Sequence, residues 1–176
     1  AYARRRAVQD PPAFTKAVRD ESPPDPVPEP HAIQRKALQA LADARDGGAR
    51  AGLVVLATGL GKTWLAAFDS RAYLRVLFVA HRDEILAQAT ATFRRIRPDA
   101  RFGRYDGGEK VEDADVLFAS VQTLGRVAHL ERFEPDRFDY IIVDEFHHAA
   151  AATYRRLIEH FRPRFLLGPT APPARA

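Results

Sequence analysis

Residues 57–63 read ATGLGKT, a glycine-rich run that ends in a lysine and a threonine. Gly59 and Gly61 allow consecutive backbone N–H groups to turn inward, where they can donate to phosphate oxygens. Lys62 would place a positive charge beside the β- and γ-phosphates of a nucleotide, and the Thr63 hydroxyl is a ligand for Mg²⁺. We therefore predict a phosphate loop for ATP and Mg²⁺, with contacts from Thr58, Gly59, Leu60, Gly61, Lys62 and Thr63.

The strict form of a phosphate loop has a further glycine at the position of Leu56. The alternative interpretation is therefore a glycine-rich turn that binds no ligand. We favour the phosphate loop, because a lysine held at such a turn would be costly to bury without an anion beside it.

Two adjacent carboxylates, Asp144 and Glu145, directly follow the apolar residues 140–143. Asp144 can hold Mg²⁺ through its water shell, and Glu145 can orient and deprotonate the water that attacks the γ-phosphate. The alternative is a pair of acidic residues that merely favour a helix N-terminus. Asp144, Glu145 and Lys62 are the predicted catalytic residues.

His147 is expected to bridge the ATP site to neighbouring motifs rather than to bind zinc. No further histidine or cysteine stands near it at the spacing of zinc ligands.

Short apolar runs alternate with helical patterns from residue 31 onward. The predicted strands are residues 53–57, 76–80, 100–105, 116–120, 140–144 and 165–168. The predicted helices are residues 31–47, 62–73, 83–96 and 150–161, with a further short helix after residue 120. Asp83 is the predicted cap of the helix over residues 83–96. This alternation predicts an α/β fold with a mostly parallel sheet and helices on both faces. Ligands of such folds bind at the carboxyl ends of the strands, where each polar motif lies.

The composition places limits on the kind of protein and its surroundings. Residues 1–30 are rich in proline and charge, which predicts an N-terminal linker ahead of one domain over residues 31–176. The sequence has no cysteine and no apolar run of the roughly 18–20 residues that cross a bilayer, so we expect a cytoplasmic protein without a membrane partner. The net charge of +4 favours a nucleic-acid partner, although arginine-rich composition alone explains it equally well.

The order of these motifs resembles that of superfamily 2 helicases, the DEAD/DEAH-like group that includes type III restriction subunits. The likeness covers residues 30–176 and is carried by HAIQRKAL (31–38), ATGLGKT (57–63), VAHRDEILAQA (79–89), FASVQTL (118–124), DEFH (144–147) and LLGPTAP (166–172). The segment DEFHHAA, followed by TYRRL, particularly resembles the sequences of bacterial helicases that carry a phospholipase-D-like nuclease domain. The resemblance implies the first RecA-like domain of an ATP-dependent DNA helicase or translocase.

The resemblance also implies roles for residues outside the phosphate loop and the acidic motif. Gln34 would read the adenine, and Thr170 would join His147 in coupling the ATP site to nucleic acid. Arg82, Gln122 and Thr123 would contact the phosphates of one strand of nucleic acid, DNA rather than RNA. An ion pair of Arg82 with the neighbouring Asp83 or Glu84 is the alternative for that residue.

Two departures from the family pattern affect the predicted activity. The family reads Thr-Ala-Thr-Pro where this chain has Pro172 in the third position, which removes a hydroxyl and a backbone donor. The second RecA-like domain and its arginine finger, worth about 10³–10⁵ in rate, would lie beyond residue 176. We expect this chain to bind nucleotide and to hydrolyse it very slowly alone. One alternative is a nucleotide-dependent switch without translocation. Another is a different P-loop enzyme such as a kinase, which the presence of Glu145 and His147 disfavours.

Overall fold

The alternation of apolar runs and helical segments forms a six-stranded sheet in a computed structural model, which describes residues 26–57, 59–145 and 152–171. The strands are β1 (Ala51–Val55), β2 (Val76–Ala80), β3 (Phe102–Tyr105), β4 (Val116–Ser120), β5 (Tyr140–Val143) and β6 (Phe165–Thr170). The helices are α1 (Ala32–Asp46), α2 (Lys62–Asp69), α3 (Asp83–Ile96), α4 (Val121–Leu124), α5 (Val127–Leu130) and α6 (Ala152–His160), with a 3₁₀ turn at Ser70–Ala72.

The six strands lie in the order β1-β6-β5-β2-β4-β3, and all neighbouring pairs are parallel. Their carboxyl ends therefore share one edge of the sheet, and the loops that follow them lie side by side. β6 separates β1 from β5, whereas β2 lies on the other side of β5, between β5 and β4. This order decides which of the sequence motifs become neighbours.

Alternate residues of the central strands face two separate cores, as the period of two along a strand requires. Phe78 and Phe118 pack with α1, α2 and α3 on one face of the sheet. Leu77 and Leu117 pack with α4, α5 and α6 on the other face. Because β2, β4 and β5 are buried on both faces, their sequences read as unbroken apolar runs, which is why the α/β prediction is confirmed.

Several predicted boundaries shift where packing decides them. β1 lies two residues earlier than predicted, at Ala51–Val55, because its pairing with β6 runs from Ala51 opposite Leu166 to Val55 opposite Thr170. α2 ends at Asp69 rather than at residue 73. The turn that follows is held by Arg97, whose guanidinium donates to the carbonyls of Ser70 and Tyr73 at 2.8 and 2.9 Å.

The start of α3 and the segment after α4 also differ from prediction. Arg82, not Asp83, is the extended residue that precedes α3, and Asp83 is its first helical residue, where a carboxylate still interacts favourably with the helix dipole. α5 is a second short helix that no sequence pattern predicted. Gly125 separates it from α4, where an added Cβ would collide with Thr153 of α6.

Some predicted features lie outside the described residues. They are Thr58 of the phosphate loop, His147 of the acidic motif, Pro172, and most of the proposed linker, of which only residues 26–30 are described. Within the described part of the chain, no helix is both long enough and apolar enough to cross a membrane.

Candidate functional site

The described part of the phosphate loop has the left-handed backbone that two glycines were predicted to supply. Gly59 has a φ of 86° and Gly61 a φ of 76°, and α2 begins directly after them at Lys62. Leu60 N donates to Ala57 O at 3.1 Å and closes the turn. The N-terminus of α2 therefore faces the open edge of the sheet, with its unpaired N–H groups and the positive end of the helix dipole available to an anion.

Gln34 lies against this loop, where its amide contacts the loop backbone. Its Nε2 donates to the carbonyls of Gly61 and Leu60 at 3.3 and 3.5 Å, and its Oε1 accepts from His31 N at 2.8 Å in a capping box at the start of α1. The residue is 3% exposed. The structure thus joins α1 to the phosphate loop through Gln34, a contact that no local pattern indicates.

A cleft of about 210 Å³ opens beside Gln34. Trp64 and Phe68 of α2 supply its apolar wall, and His31 and Arg95 complete it. Trp64 also packs on the α1–α3 core, and the Arg95 guanidinium lies 5.5 Å from its ring centre. Reading of adenine by Gln34 stays a prediction.

The acidic pair Asp144 and Glu145 follows β5 at the same edge. Asp144 N donates to Val79 O at 2.9 Å, which extends the pairing of β5 with β2 by one residue. Burial, and secondarily the charge of Glu145, raise the pKa of Asp144, while Lys62 and His81 act in the opposite direction. Asp144 therefore lies in the electrostatic field of the phosphate-loop lysine, two strands away in the sheet.

Glu145 adopts a conformation that side chains rarely take. Its φ of 51° is in the left-handed region, at a cost of roughly 1–2 kcal/mol for a residue other than glycine. Its side chain is 37% exposed, and its Oε2 lies 3.6 Å from His81 Nδ1. Such strain, held by the surrounding structure, is typical of functional sites.

His81 is the functional candidate that sequence reasoning missed. It directly follows β2, and its ring and carbonyl contact three candidate site residues: Glu145, Arg82 and Gln122. Its place in the run VAHRDEILAQA, immediately before Arg82, was the available signal. The strand order that brings it beside Glu145 was not visible in the sequence.

The predicted nucleic-acid residues are brought together only in part. Arg82 is exposed and donates from Nε to His81 Nε2 at 3.2 Å. Asp83 lies 3.7 Å from Arg104, so these contacts differ from the alternative interpretation, an ion pair of Arg82 with Asp83 or Glu84. Gln122 is also exposed and donates from Nε2 to His81 O at 2.7 Å. Thr123 instead is half-buried in α4, where its N–H donates to Ser120 Oγ.

Thr170 lies on the opposite side of the acidic pair, at the end of β6. It is 8% exposed, and its carbonyl accepts from Leu56 N at 3.1 Å, just ahead of the phosphate loop. Its hydroxyl donates to Ala171 O at 3.4 Å. The sheet thus places Thr170 beside the phosphate loop and apart from Arg82 and Gln122, and its coupling role stays a prediction.

Tyr154 of α6 is a second residue that the motifs did not indicate. Its hydroxyl is buried and has no hydrogen-bond partner among the described residues. Burial raises the pKa of Tyr154 to about 12, and the negative charges of Asp144 and Glu145 act in the same direction. Tyr154 therefore lies close enough to the acidic pair for the charges of Asp144 and Glu145 to act on its hydroxyl.

Comparison with known proteins gives the family. The profile of the family described as "Type III restriction enzyme, res subunit" matches residues 28–175. The putative ATP-dependent helicase IRC3 of Saccharomyces cerevisiae is 37% identical over 145 residues, which is 73% of this chain and 20% of that protein. The putative mitochondrial ATP-dependent helicase irc3 of Schizosaccharomyces pombe is 36% identical over 137 residues, again 73% of this chain and 22% of that protein.

Solved structures agree on the fold. The SWI2/SNF2 ATPase core of Sulfolobus solfataricus, solved in complex with dsDNA, has a TM-score of 0.66 at 18% identity, over 84% of this chain and 33% of that one. The UvsW helicase of bacteriophage T4 has a TM-score of 0.62 at 21% identity, over 81% of this chain and 52% of that one. The chain spans about a fifth of the length of the two yeast relatives. The chain therefore belongs to the family of the type III restriction enzyme res subunit, and it has an α/β, RecA-like fold.

Proposed function

We propose that this domain binds Mg·ATP at the phosphate loop and that, in the full-length protein, hydrolysis of the nucleotide drives movement along DNA. One observation carries the proposal: the carboxyl edge of the sheet holds three groups in a row. The phosphate loop follows β1, the acidic pair follows β5, and Arg82 and Gln122 follow β2 and β4. The acidic pair thus stands between a site for ATP phosphates and a site for nucleic-acid phosphates.

The residues at the phosphate loop fit a magnesium-bound nucleotide. The Thr63 hydroxyl and the Asp144 carboxylate are oxygen donors, the type that Mg²⁺ prefers. Asp144 is 8% exposed and its pKa is raised by burial, so its charged form is destabilised here, and a divalent cation would offset that cost. When bound, Mg²⁺ neutralises negative charge on the β- and γ-phosphates.

The chain's own residues have distinct roles in the proposed reaction. The backbone of residues 58–61 holds the phosphates, Lys62 neutralises charge on the transferred phosphoryl group, and Gln34 reads the adenine. Glu145 orients the attacking water and accepts its proton. An arginine finger, worth about 10³–10⁵ in rate, would come from a second RecA-like domain in the full-length protein, so we expect this domain to turn over slowly alone.

Nucleic acid is the proposed partner at the other side of the acidic pair. Arg82 is an exposed arginine next to an exposed amide, Gln122, a combination that binds phosphate oxygens without reading sequence. We propose DNA rather than RNA, because the solved Sulfolobus relative and a nuclease-deleted Type ISP restriction enzyme, LlaGI, were each captured with DNA or a DNA mimic. The cysteine-free sequence suits a reducing compartment, and we propose a cytoplasmic location.

The test is the ATPase activity of the full-length protein, measured with and without duplex DNA. We expect DNA to stimulate hydrolysis and Lys62→Ala to abolish it. Arg82→Ala should weaken DNA binding and reduce the dependence of log K on log salt by about one. Arg71→Ala is the matched control, because Arg71 is an exposed arginine ahead of β2, at the opposite edge of the sheet. This substitution should leave both the affinity for DNA and its dependence on salt unchanged.

The altered sequence at Pro172 favours a second candidate, a nucleotide-dependent switch that binds DNA without moving along it. Displacement of a third strand from a DNA triplex separates the two, because only a translocating protein displaces that strand. DNA-stimulated hydrolysis without displacement would support the switch, and hydrolysis that DNA does not change would exclude the motor.

A further inference from the structure

His81 directly follows β2 and contacts both Glu145 of the acidic pair and Gln122 of the proposed nucleic-acid site. β2 pairs with β5 on one side, with Val79 opposite Val143, and with β4 on the other side, with Ala80 opposite Ser120. Continuing both registers beyond the strands brings His81 level with Glu145 on one side and with the start of α4 on the other. The residue therefore lies between the acidic pair and Gln122.

The ring and the carbonyl of His81 contact Arg82, Gln122 and Glu145. Arg82 Nε donates to Nε2 at 3.2 Å, and Gln122 Nε2 donates to the carbonyl at 2.7 Å. Since an arginine is always a donor, Nε2 must accept, and the proton of a neutral ring is then on Nδ1. Nδ1, with its N–H, then faces Glu145 Oε2 at 3.6 Å, a close polar contact that is longer than a hydrogen bond.

The effect of this contact depends on the direction in which the Glu145 side chain points. Sheet order places the phosphate loop beyond β6 on one side of β5, whereas His81 lies on the other side. A carboxylate turned towards His81 is therefore turned away from the phosphate loop. The backbone of Glu145 is itself strained, with a left-handed φ of 51°.

We propose that His81 is a positioning residue that holds the Glu145 carboxylate away from the phosphate loop, and that DNA bound at Arg82 and Gln122 relieves this hold. The inference rests on the proposed function and adds a means of regulation to it. A phosphate oxygen is a charged acceptor and forms a stronger hydrogen bond with Arg82 than the neutral imidazole nitrogen does. DNA would thus draw Arg82 and Gln122 from His81, which loosens its contact with Glu145.

Two substitutions separate the ring nitrogens. The side chain of His81→Gln places its amide near the position of Nε2 and removes the group that faces Glu145. The side chain of His81→Asn is shorter and keeps a polar group near the position of Nδ1. In the full-length protein we would measure kcat and the KM for ATP with and without a duplex oligonucleotide, and DNA affinity separately.

We expect His81→Gln to raise the DNA-independent kcat about fivefold or more, the scale of an ordinary coupling between sites, and to lower the stimulation by DNA by the same factor. The KM for ATP and the affinity for DNA should stay within about twofold of their wild-type values, because neither ligand loses a contact. His81→Asn should keep most of the stimulation. His81→Ala replaces the glutamine variant if that variant does not fold.

Other outcomes contradict the inference. A stimulation ratio that remains at the wild-type value in His81→Gln would overturn it, even if all rates fall together, since that fall indicates only structural damage. Loss of DNA stimulation because the kcat with DNA falls, while the kcat without DNA stays unchanged, would also overturn the inference. His81 would then hold Glu145 in its active position. If DNA fails to stimulate the wild-type protein, the proposed function itself is wrong.

Discussion

Arg45 and Asp69 form a two-pronged ion pair, in which Nη1 and Nη2 donate to Oδ2 and Oδ1, both at 2.8 Å. The pair joins the last turn of α1 to the last residue of α2, and the Tyr140 hydroxyl of β5 donates to the same carboxylate at 2.5 Å. The other ends of these helices carry Gln34 and Lys62. The pair therefore fixes the relative position of the two helices that carry Gln34 and Lys62 of the proposed nucleotide site.

Replacement of Arg45 by methionine should destabilise the fold by about 2–4 kcal/mol, because the buried Asp69 carboxylate loses its charged partner. Asp113→Ala is the control, since its ion pair with Arg101 joins side chains that are 82% and 61% exposed and should contribute little to stability. Urea unfolding measures both. Equal losses in the two variants would show that burial of the Arg45 pair does not matter.

Gly61→Ala should disrupt the nucleotide site more than Gly59→Ala does. Both glycines have a left-handed φ, so each substitution costs about 1–2 kcal/mol of backbone strain. A Cβ at Gly61 would in addition lie 2.5 Å from Gln34 Nε2, whereas a Cβ at Gly59 meets nothing within 4 Å. The difference between the two variants in thermal stability isolates the Gln34 contact, and identical losses would argue against that contact.

Asp106 should stabilise the protein at neutral pH and lose this effect in acid. Burial alone would raise its pKa, but hydrogen bonds from Glu109 N, Arg104 and Gly108 N outweigh burial and lower the pKa of Asp106 to about 2. A lowered carboxyl pKa stabilises the fold above the unfolded value near 3.8, and the contribution disappears as pH falls through about 2. The shift corresponds to about 2 kcal/mol at pH 7.

Asp106→Asn should therefore cost about 1–2 kcal/mol at pH 7 and progressively less between pH 4 and pH 2, as unfolding free energies at several pH values will show. Asp113→Asn, at a carboxylate that is 82% exposed, provides the comparison and should change little. A cost for Asp106→Asn that is constant with pH would mean that its charge is not what stabilises the loop.

Removal of a single hydroxyl should have opposite effects at two buried tyrosines. Tyr140→Phe loses a hydrogen bond to the charged Asp69 carboxylate and should cost about 1.5–3 kcal/mol. Tyr154→Phe removes a buried hydroxyl that has no hydrogen-bond partner within the described residues, so it should be neutral or slightly stabilising. Thermal unfolding of the two variants tests this contrast, and a large loss in Tyr154→Phe would reveal a partner for its hydroxyl.

Local sequence determined the elements whose form depends on local chemistry. The strands at residues 76–80 and 116–120 have the predicted bounds, because strands buried on both faces must be apolar throughout. The turn before α2 also has a local cause, since glycine adopts the left-handed backbone found at Gly59 and Gly61 at little cost. β1 was misplaced by two residues because, as an edge strand, it takes its ends from β6.

Tertiary structure alone decided which of these elements meet. Gln34 contacts Gly61 across 27 residues of chain, and His81 faces Glu145 only because β2 lies beside β5 in the sheet. Strand order depends on how helices of given length and apolar face cover the two sides of the sheet, a property of the whole chain rather than of any motif. The sequence thus predicted Lys62, Asp144 and Glu145 as catalytic residues, whereas the packing of the sheet placed His81 between Glu145 and Gln122.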